Sequence, residues 1–257
     1  MTLRLPRGGL QSRSVPICIL PSLLTVRWIR DGYCVAEVSV RSHLGTDTQE
    51  EDHGTAIAAV VDCYTGEVTS LPNMRTAREE AGMLRYEDWI YVFGGYATGN
   101  YKDPRGANLS SAEAMRLPTQ EVWTALPNMQ ESRRRVTPCL WRSLIYLSGG
   151  ENTSIEAFNP TQRTYSLLSI SLPEDSDASL CLKNDSLLVF SSFHLSTITL
   201  TGAEYRISSK RHERVPSYSL CPAVLWRNSV FLMQADKFTT LDSVVGNRPA
   251  FPSSKKP

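Results

Sequence analysis

The tetrapeptide Leu71-Pro72-Asn73-Met74 recurs as Leu126-Pro127-Asn128-Met129, at an offset of 55 residues (126 − 71). Each copy is followed by an apolar run that ends in two glycines, Gly94-Gly95 and Gly149-Gly150, at the same offset (149 − 94). A long segment is therefore repeated, not only a tetrapeptide. Self-similarity at this period indicates an array of similar supersecondary units.

Weaker copies of the same landmarks extend the repeat in both directions. A Leu-Pro or Val-Pro pair recurs at Leu20-Pro21, Leu71-Pro72, Leu126-Pro127, Leu172-Pro173 and Val215-Pro216. Each of these five pairs is followed by an apolar strand-like run, at residues 32–35, 89–92, 144–147, 187–190 and 230–233. The sequence therefore predicts about five units.

The third unit shows what one repeat contains. Residues 136–141, 144–148, 154–159 and 164–170 are short, rich in β-forming residues and separated by turn residues, with almost no helical periodicity. Four such strands predict one antiparallel sheet. Repetition of four-stranded sheets predicts an all-β fold, a β-propeller of four-stranded antiparallel blades. The second unit carries an additional polar segment, residues 96–110, between its second and third strands.

The two ends of the chain suggest how the ring closes. Residues 237–241 can form a third strand of the fifth unit, but no good fourth strand follows. Residues 15–20 end in Leu-Pro like a last strand, yet no unit precedes them. We therefore predict that they supply the missing strand of the C-terminal blade, which would protect exposed strand edges. One propeller then occupies residues 15–245, with flexible tails at 1–14 and 246–257.

Composition narrows the classes of function. The chain has 257 residues, 41% of them hydrophobic, and a formal net charge of +1. A packed core is expected, whereas binding to nucleic acid through phosphate neutralisation is not. No apolar run is long enough for a membrane helix. The six cysteines contain no Cys-x-x-Cys pair, and the four histidines have no partners at ligand spacing. We expect no metal, no cofactor and no catalytic residue.

The sequence gives weaker indications of cellular location and oligomeric state. The N-terminus carries arginines and has no acidic residue before Asp31. That bias is typical of a mitochondrial targeting segment, which is the alternative to a cytoplasmic location. We expect a cytoplasmic protein that is monomeric unless it joins a complex.

The repeated features resemble the kelch-repeat family. They are the double glycine after the second strand, Trp123 or Tyr165 late in the unit, and Asn159-Pro160 where the family often has Asp-Pro. The match is strong over about residues 54–170 and weaker beyond, where Ser191-Ser192 replaces the glycines. The resemblance implies a propeller. Six blades are more frequent in the family, so six stays open beside our count of five.

The resemblance also implies a binding site. Arg78 and Arg133 each precede the double glycine by 16 residues (94 − 78 and 149 − 133). In kelch-like substrate receptors, an arginine at this position lines a shallow pocket at one end of the propeller and binds acidic peptide segments. Tyr96, Glu151 and Asn152, which follow the glycines, are the next pocket candidates. The alternative for both arginines is a solvated or a structural position near a blade edge.

The expected function is that of a non-enzymatic interaction module. The resemblance implies an adaptor or scaffold that presents inter-strand loops and an arginine-containing end pocket to a protein partner. Two alternatives remain open. One is a kelch-fold enzyme active on sugars, of the oxidase or epimerase type. The other is a degenerate propeller with a structural role in a larger assembly.

Overall fold

Strands make up nearly all regular structure in this protein. The computed structural model describes residues 24–28, 33–38, 56–62, 68–97, 106–117, 122–173, 178–191, 194–211, 223–226, 229–234 and 237–241. Five successive sheets, each called a blade below, account for most of these residues. No helix within these ranges is long and apolar enough to cross a bilayer.

The strand boundaries follow the chain blade by blade. Blade 1 contains β1 (Leu24–Trp28), β2 (Tyr33–Val38), β3 (Ala58–Asp62) and β4 (Val68–Ser70). Blade 2 contains β5 (Gly82–Tyr86), β6 (Trp89–Phe93), β9 (Ala112–Arg116) and β10 (Thr124–Leu126), with the hairpin β7 (Tyr96–Ala97) and β8 (Ala107–Asn108) inserted. Blade 3 contains β11 (Thr137–Trp141), β12 (Leu144–Ser148), β13 (Ser154–Asn159) and β14 (Thr164–Ser171). Blade 4 contains β15 (Ser179–Lys183), β16 (Ser186–Ser191), β17 (His194–Thr201) and β18 (Glu204–Arg211). Blade 5 contains β19 (Val224–Trp226), β20 (Ser229–Gln234) and β21 (Lys237–Thr240).

The blades are arranged as in a propeller. Every strand pairing within them is antiparallel, and each blade runs in chain order from its first to its last strand. The first strands of consecutive blades lie side by side, β11 between β5 and β15 and β15 next to β19. This arrangement confirms the predicted all-β propeller. The four strands predicted in the third unit are observed within one residue of their predicted ends.

The hydrophobic core lies between blades, not within them. Each neighbouring pair of blades encloses one apolar cluster, four in all among the described residues. In β6, Ile90 and Val92 point towards blade 1, whereas Tyr91 and Phe93 point towards blade 3. Because both faces of a second strand are buried in this way, the strand reads as an unbroken apolar run.

The segment inserted in blade 2 forms a small hairpin of its own. β7 pairs with β8, and Tyr96 also bridges to Glu79, with backbone hydrogen bonds of 2.7 and 2.9 Å. Leu109 bridges to Arg133 on blade 3. The described ends of the predicted polar insertion are therefore paired as short strands, and Leu109 links them to blade 3.

Two cysteines in the first strands of blades 3 and 4 are free thiols, Cys139 and Cys181. Burial raises the pKa of Cys139 to about 12 and that of Cys181 to about 11. Both are therefore protonated and unreactive near neutral pH, as expected for buried reduced thiols.

The predicted ring closure lies outside the described part of the chain. Neither the expected closing strand at residues 15–20 nor the expected tails at 1–14 and 246–257 fall in it. Blade 5 contributes three strands to the described structure. The closing strand therefore stays a prediction.

Candidate functional site at the double-glycine end

The two arginines singled out by the sequence lie at one end of blades 2 and 3. We call this the double-glycine end, because Gly94-Gly95 and Gly149-Gly150 leave their second strands there. Arg78 and Arg133 are in the loops that precede the first strands of these blades. The same end carries the β7–β8 hairpin and all the predicted partner-binding residues.

Arg78 is the centre of a hydrogen-bonded cluster, the blade-2 clamp, formed by Arg78, Ser111 and Glu113. Its Nη1 donates to the carbonyl oxygens of Gly94 at 2.6 Å and Ser111 at 3.0 Å. Its Nη2 donates to Ser111 Oγ at 3.2 Å and to Glu113 Oε1 at 2.8 Å. The clamp joins the arginine loop to the end of the second strand and to the start of the third.

Arg133 forms the equivalent blade-3 clamp with Ser154 and Glu156. Nη1 donates to the carbonyls of Gly149 and Ser154, both at 3.0 Å, and Nη2 donates to Ser154 Oγ at 2.6 Å. Nε donates to Glu156 Oε1 at 3.1 Å. Burial lowers the pKa of the Arg133 guanidinium below its ordinary value, and the Glu156 carboxylate opposes that effect.

The two carboxylates also hold the turns that follow Leu-Pro-Asn-Met. Glu156 accepts the backbone N–H groups of Gln130 at 2.8 Å and Glu131 at 3.1 Å. Glu113 accepts those of residues 75 and 76 at 2.7 and 3.0 Å. Such charge-assisted hydrogen bonds are stronger than neutral ones. The repeated tetrapeptide therefore marks the turn that delivers two amides to a buried carboxylate.

The glycines allow the arginine loops to lie against the sheet. Gly94 and Gly149 have φ values of +59° and +110°, in a region that favours glycine. A Cβ on Gly94 would lie 2.4 Å from the Arg133 carbonyl oxygen. A Cβ on Gly149 would lie 2.5 Å from the Arg135 carbonyl oxygen. Any side chain at either position would therefore collide with backbone.

The structure corrects the prediction that Arg78 and Arg133 contact a partner. Their side chains are 0% exposed, and their acidic partners Glu113 and Glu156 are 2% and 0% exposed. A carboxylate from another protein could reach either guanidinium only by displacing the blade's own carboxylate. The structural role that the sequence left open is the one observed.

The remaining predicted site residues are closer to the surface. Glu151 is 55% exposed and forms an ion pair with Arg134. Asn152 is half-buried, and its Nδ2 donates to a loop carbonyl at 3.3 Å. Tyr96 is half-buried, with its ring against Gly106. Glu151 and Asn152 are adjacent on blade 3, whereas Tyr96 lies on the hairpin of blade 2. Their contact with a partner stays a prediction.

Hydrogen bonds across the blade boundary tie this end together. Gly95 donates its N–H to the Arg133 carbonyl at 2.8 Å, Arg133 donates to Leu109 at 3.0 Å, and Leu109 donates to Gly95 at 2.8 Å. Arg135 Nε also donates to Glu80 Oε1 at 3.1 Å. Glu80 and Arg135 occupy equivalent positions of consecutive units, 55 residues apart. Blades 2 and 3 therefore form one rigid end surface.

In blade 4 a serine takes the place of the clamp's glutamate. Ser196 stands in β17 where Glu156 stands in β13, because each pairs with the fourth residue of its second strand. Ser196 is fully buried, and its Oγ lies 2.8 Å from Ser209 Oγ. Ser191-Ser192 replaces the double glycine. The glycines and the acidic residue are therefore lost together, which explains why the repeat becomes weak after the third unit.

Sequence reasoning missed the acidic half of both clamps. Each glutamate lies in a Ser-x-Glu triplet, at 111–113 and 154–156, with a buried apolar residue on either side of it in its strand. A charge in such a strand indicates a buried partner. The triplets were hidden because the inserted hairpin gives them different distances from the double glycine, 19 residues (113 − 94) and 7 residues (156 − 149).

Together, the repeated blades define a β-propeller, and comparisons with known proteins agree on that fold. No protein-family model matches the chain. Over 100 residues it is 33% identical to the kelch-like protein terF of Aspergillus terreus, a stretch that is 38% of this chain and 22% of that protein. Its fold is similar to that of YjhT, a kelch-type propeller, with a TM-score of 0.63 at 12% sequence identity. That match covers 82% of this chain and 72% of YjhT.

These matches confirm the predicted resemblance to the kelch-repeat family. The chain spans about a fifth of the length of the fungal relative, 22%. The likeness to YjhT concerns the fold alone.

Proposed function

We propose that this propeller is a non-enzymatic interaction module that holds a protein partner at the double-glycine end. One observation carries the proposal. Buried arginine–glutamate clamps fix the loops of blades 2 and 3 on their inner side. Polar side chains on the outer side of the same loops, such as Glu151, are exposed to solvent. A surface that is already ordered loses little conformational entropy when a partner binds.

Three features of this surface suit a protein partner. The paired strands β7 and β8 lie at this end of blade 2 and are linked to blade 3 through Leu109. Glu151 and Arg134 offer one charge of each sign, partly exposed. Asn152 on blade 3 adds an amide, and Tyr96 on the hairpin of blade 2 adds an aromatic ring. Polar groups together with aromatic rings are typical of protein interfaces.

Site-specific photo-crosslinking tests the proposal. A photoreactive amino acid at position 152 of the full chain should yield a discrete crosslinked partner in cells. The matched control places the same group at Gln162, in the turn at the other end of blade 3, where no partner should be trapped. A partner trapped equally at both positions, or only at position 162, would contradict the proposal.

A second arm addresses the side chains themselves. Glu151→Ala and Asn152→Ala should each reduce the amount of partner recovered with the tagged chain. Because both residues lie above the clamps, their loss should leave the unfolding midpoint nearly unchanged. Full recovery of the partner by the double variant would remove these two residues from the interface.

A further inference from the structure

One edge of the outermost strand of blade 4 is covered by no described strand. β18 pairs with β17 along all eight of its residues, from Glu204 to Arg211. No strand in the described part of the chain pairs with its other edge. Alternate backbone N–H and C=O groups along that edge therefore lack a strand partner there, and such an edge can accept another extended chain.

Side chains on one face of β18 hold this strand in place. Tyr205 and Ile207 point into the apolar cluster between blades 3 and 4. The Tyr205 hydroxyl lies 2.8 Å from that of Tyr146, and its ring packs against Trp141 with 6.4 Å between centroids. β18 is thus fixed as a regular strand before any partner arrives.

Charge sets β18 apart from the other long outer strand. Arg206, Lys210 and Arg211 are exposed, and none of them forms an ion pair with a described residue. Glu204 is the only acidic residue of the strand. The outer strand of blade 3, β14 (Thr164–Ser171), has the same length and no charged residue at all.

We propose that the free edge of β18 binds an acidic, extended segment of a partner protein by strand addition. Backbone hydrogen bonds would join the segment to the edge, and alternate side chains would determine which segment is accepted. Arg206 and Lys210 lie on one face of the sheet, because they are four residues apart, and Arg211 lies on the other. An acidic residue opposite each cation stabilises the added strand.

The same cations select against the wrong strand. A second copy of β18 added to this edge would place like charges opposite or diagonal to one another, which is destabilising. Positively charged edge strands are a known protection against such self-pairing. An acidic segment meets no such repulsion. This surface is separate from the double-glycine end, so the two proposals can fail independently.

The test uses the full chain and a defined probe. The probe is a fluorescently labelled eight-residue peptide that alternates Glu with Val and Thr, and binding is followed by fluorescence anisotropy. We expect saturable binding, weakened about tenfold or more in the double variant Arg206→Glu/Lys210→Glu, since two attractions become two repulsions. The control Arg116→Glu/Arg163→Glu changes the net charge equally on other blades and should bind as the wild type does.

Two modified peptides separate strand addition from loose charge attraction. Both keep all their charges, but one is N-methylated at its odd residues and the other at its even residues. In a strand only one of these sets donates hydrogen bonds to the β18 edge. We expect one peptide to lose binding and the other to keep it. Equal affinities of the two methylated peptides, or unchanged binding by Arg206→Glu/Lys210→Glu, would overturn the proposal.

Discussion

At the scale of single residues, Arg78 and Arg133 show why equivalent positions need not mean exposed positions. A guanidinium without solvent is stable only where hydrogen-bond acceptors and a countercharge surround it. Both blades supply two carbonyls, a serine hydroxyl and a carboxylate. The repeat therefore preserves a buried network around each cation, in which Nε of Arg133 donates to Glu156 whereas Nε of Arg78 has no hydrogen-bond partner among the described residues. Sequence reasoning found only the cation.

Removing the countercharge of one clamp should be costly. We expect Glu156→Gln to lower the free energy of unfolding by about 3 kcal/mol, because Arg133 is left as an uncompensated buried charge. Urea denaturation followed by circular dichroism measures the change. Glu151→Gln is the control, since it breaks a half-exposed ion pair and should cost less than about 1 kcal/mol. Equal effects of the two substitutions would contradict a structural role for the clamp.

The double glycine gives a second residue-scale prediction. Gly94→Ala should destabilise the fold by roughly 3 kcal/mol, because it combines positive φ with a Cβ against backbone. Gly202→Ala is matched in φ, +63° against +59°, but meets nothing within 4 Å, so it should cost about 1 kcal/mol. Thermal unfolding of both variants checks the difference. Similar losses would mean that φ alone, and not the close approach, requires glycine.

The spacing of Arg78 and Arg133 in the sequence does not show whether their side chains point into the protein or out to solvent. Whether a loop arginine points outward or inward depends on what lies beneath it. Here that is a carboxylate 35 residues further along in one blade and 23 in the other. The sequence locates the cations because both lie at a fixed distance from a glycine pair. Glu113 and Glu156 reach the two arginines only in the folded sheet, so the sequence pattern does not reveal these partners.

At the scale of elements, strands were predictable where both of their faces are buried. The second strands stand out as apolar runs, and the Leu-Pro pairs stop the last strands of blades 1, 2 and 3. The hairpin β7–β8 was not foreseen as structure, because each strand has only two residues. Its order comes from bridges to Glu79 and Arg133, and such contacts leave no local pattern.

The turns at the other end of the propeller link blade 3 to blade 4. Asp185, in the β15–β16 turn, accepts from Trp141 Nε1 at 2.6 Å and from Arg142 Nε at 3.2 Å. Arg142 also lies 5.4 Å from the centroid of the Trp141 ring. These bonds lower the pKa of Asp185 to about 2, with the Arg142 hydrogen bond as the larger cause.

This link predicts a pH dependence. A depressed pKa in the folded state means that ionised Asp185 stabilises the fold above pH about 4 and that the contribution is lost as the pH falls towards 2. The difference in melting temperature between wild type and Asp185→Asn should therefore be largest at neutral pH and shrink between pH 4 and 2. Asp88→Asn, which removes an exposed pair of 3.7 Å, is the control. A difference that is constant with pH would contradict this account.

At the scale of the whole molecule, the polar contacts that fix the double-glycine end are unevenly distributed among the blades. Blades 2 and 3 carry both clamps, both glycine pairs and the bonds across their boundary. Blade 4 keeps the sheet but replaces the clamp with serines. An apolar cluster between blades is enough to maintain the architecture, since each blade needs only its neighbours to bury its faces. The clamp adds a defined end surface to that architecture.

Ring closure gives the prediction at this scale. If residues 15–20 complete the blade of β19, β20 and β21, deleting residues 1–20 should lower the unfolding midpoint, because blade 5 loses an edge strand. Deletion of residues 246–257, predicted to be a tail, is the control and should leave the midpoint unchanged. Equal midpoints for the chain without residues 1–20 and the full chain would rule out closure by this segment.

The two clamps also differ in one respect that has a practical use. In blade 2 the connection from the glycine pair to the third strand is longer than in blade 3, yet Glu113 still accepts a hydrogen bond from Arg78. The donor is Nη2 of Arg78, whereas Nε of Arg133 donates to Glu156. The clamp thus sets the third strand in place whatever the length of chain that leads to it. A foreign epitope grafted between β7 and β8 should be displayed without loss of the fold, which makes this protein a scaffold for engineering.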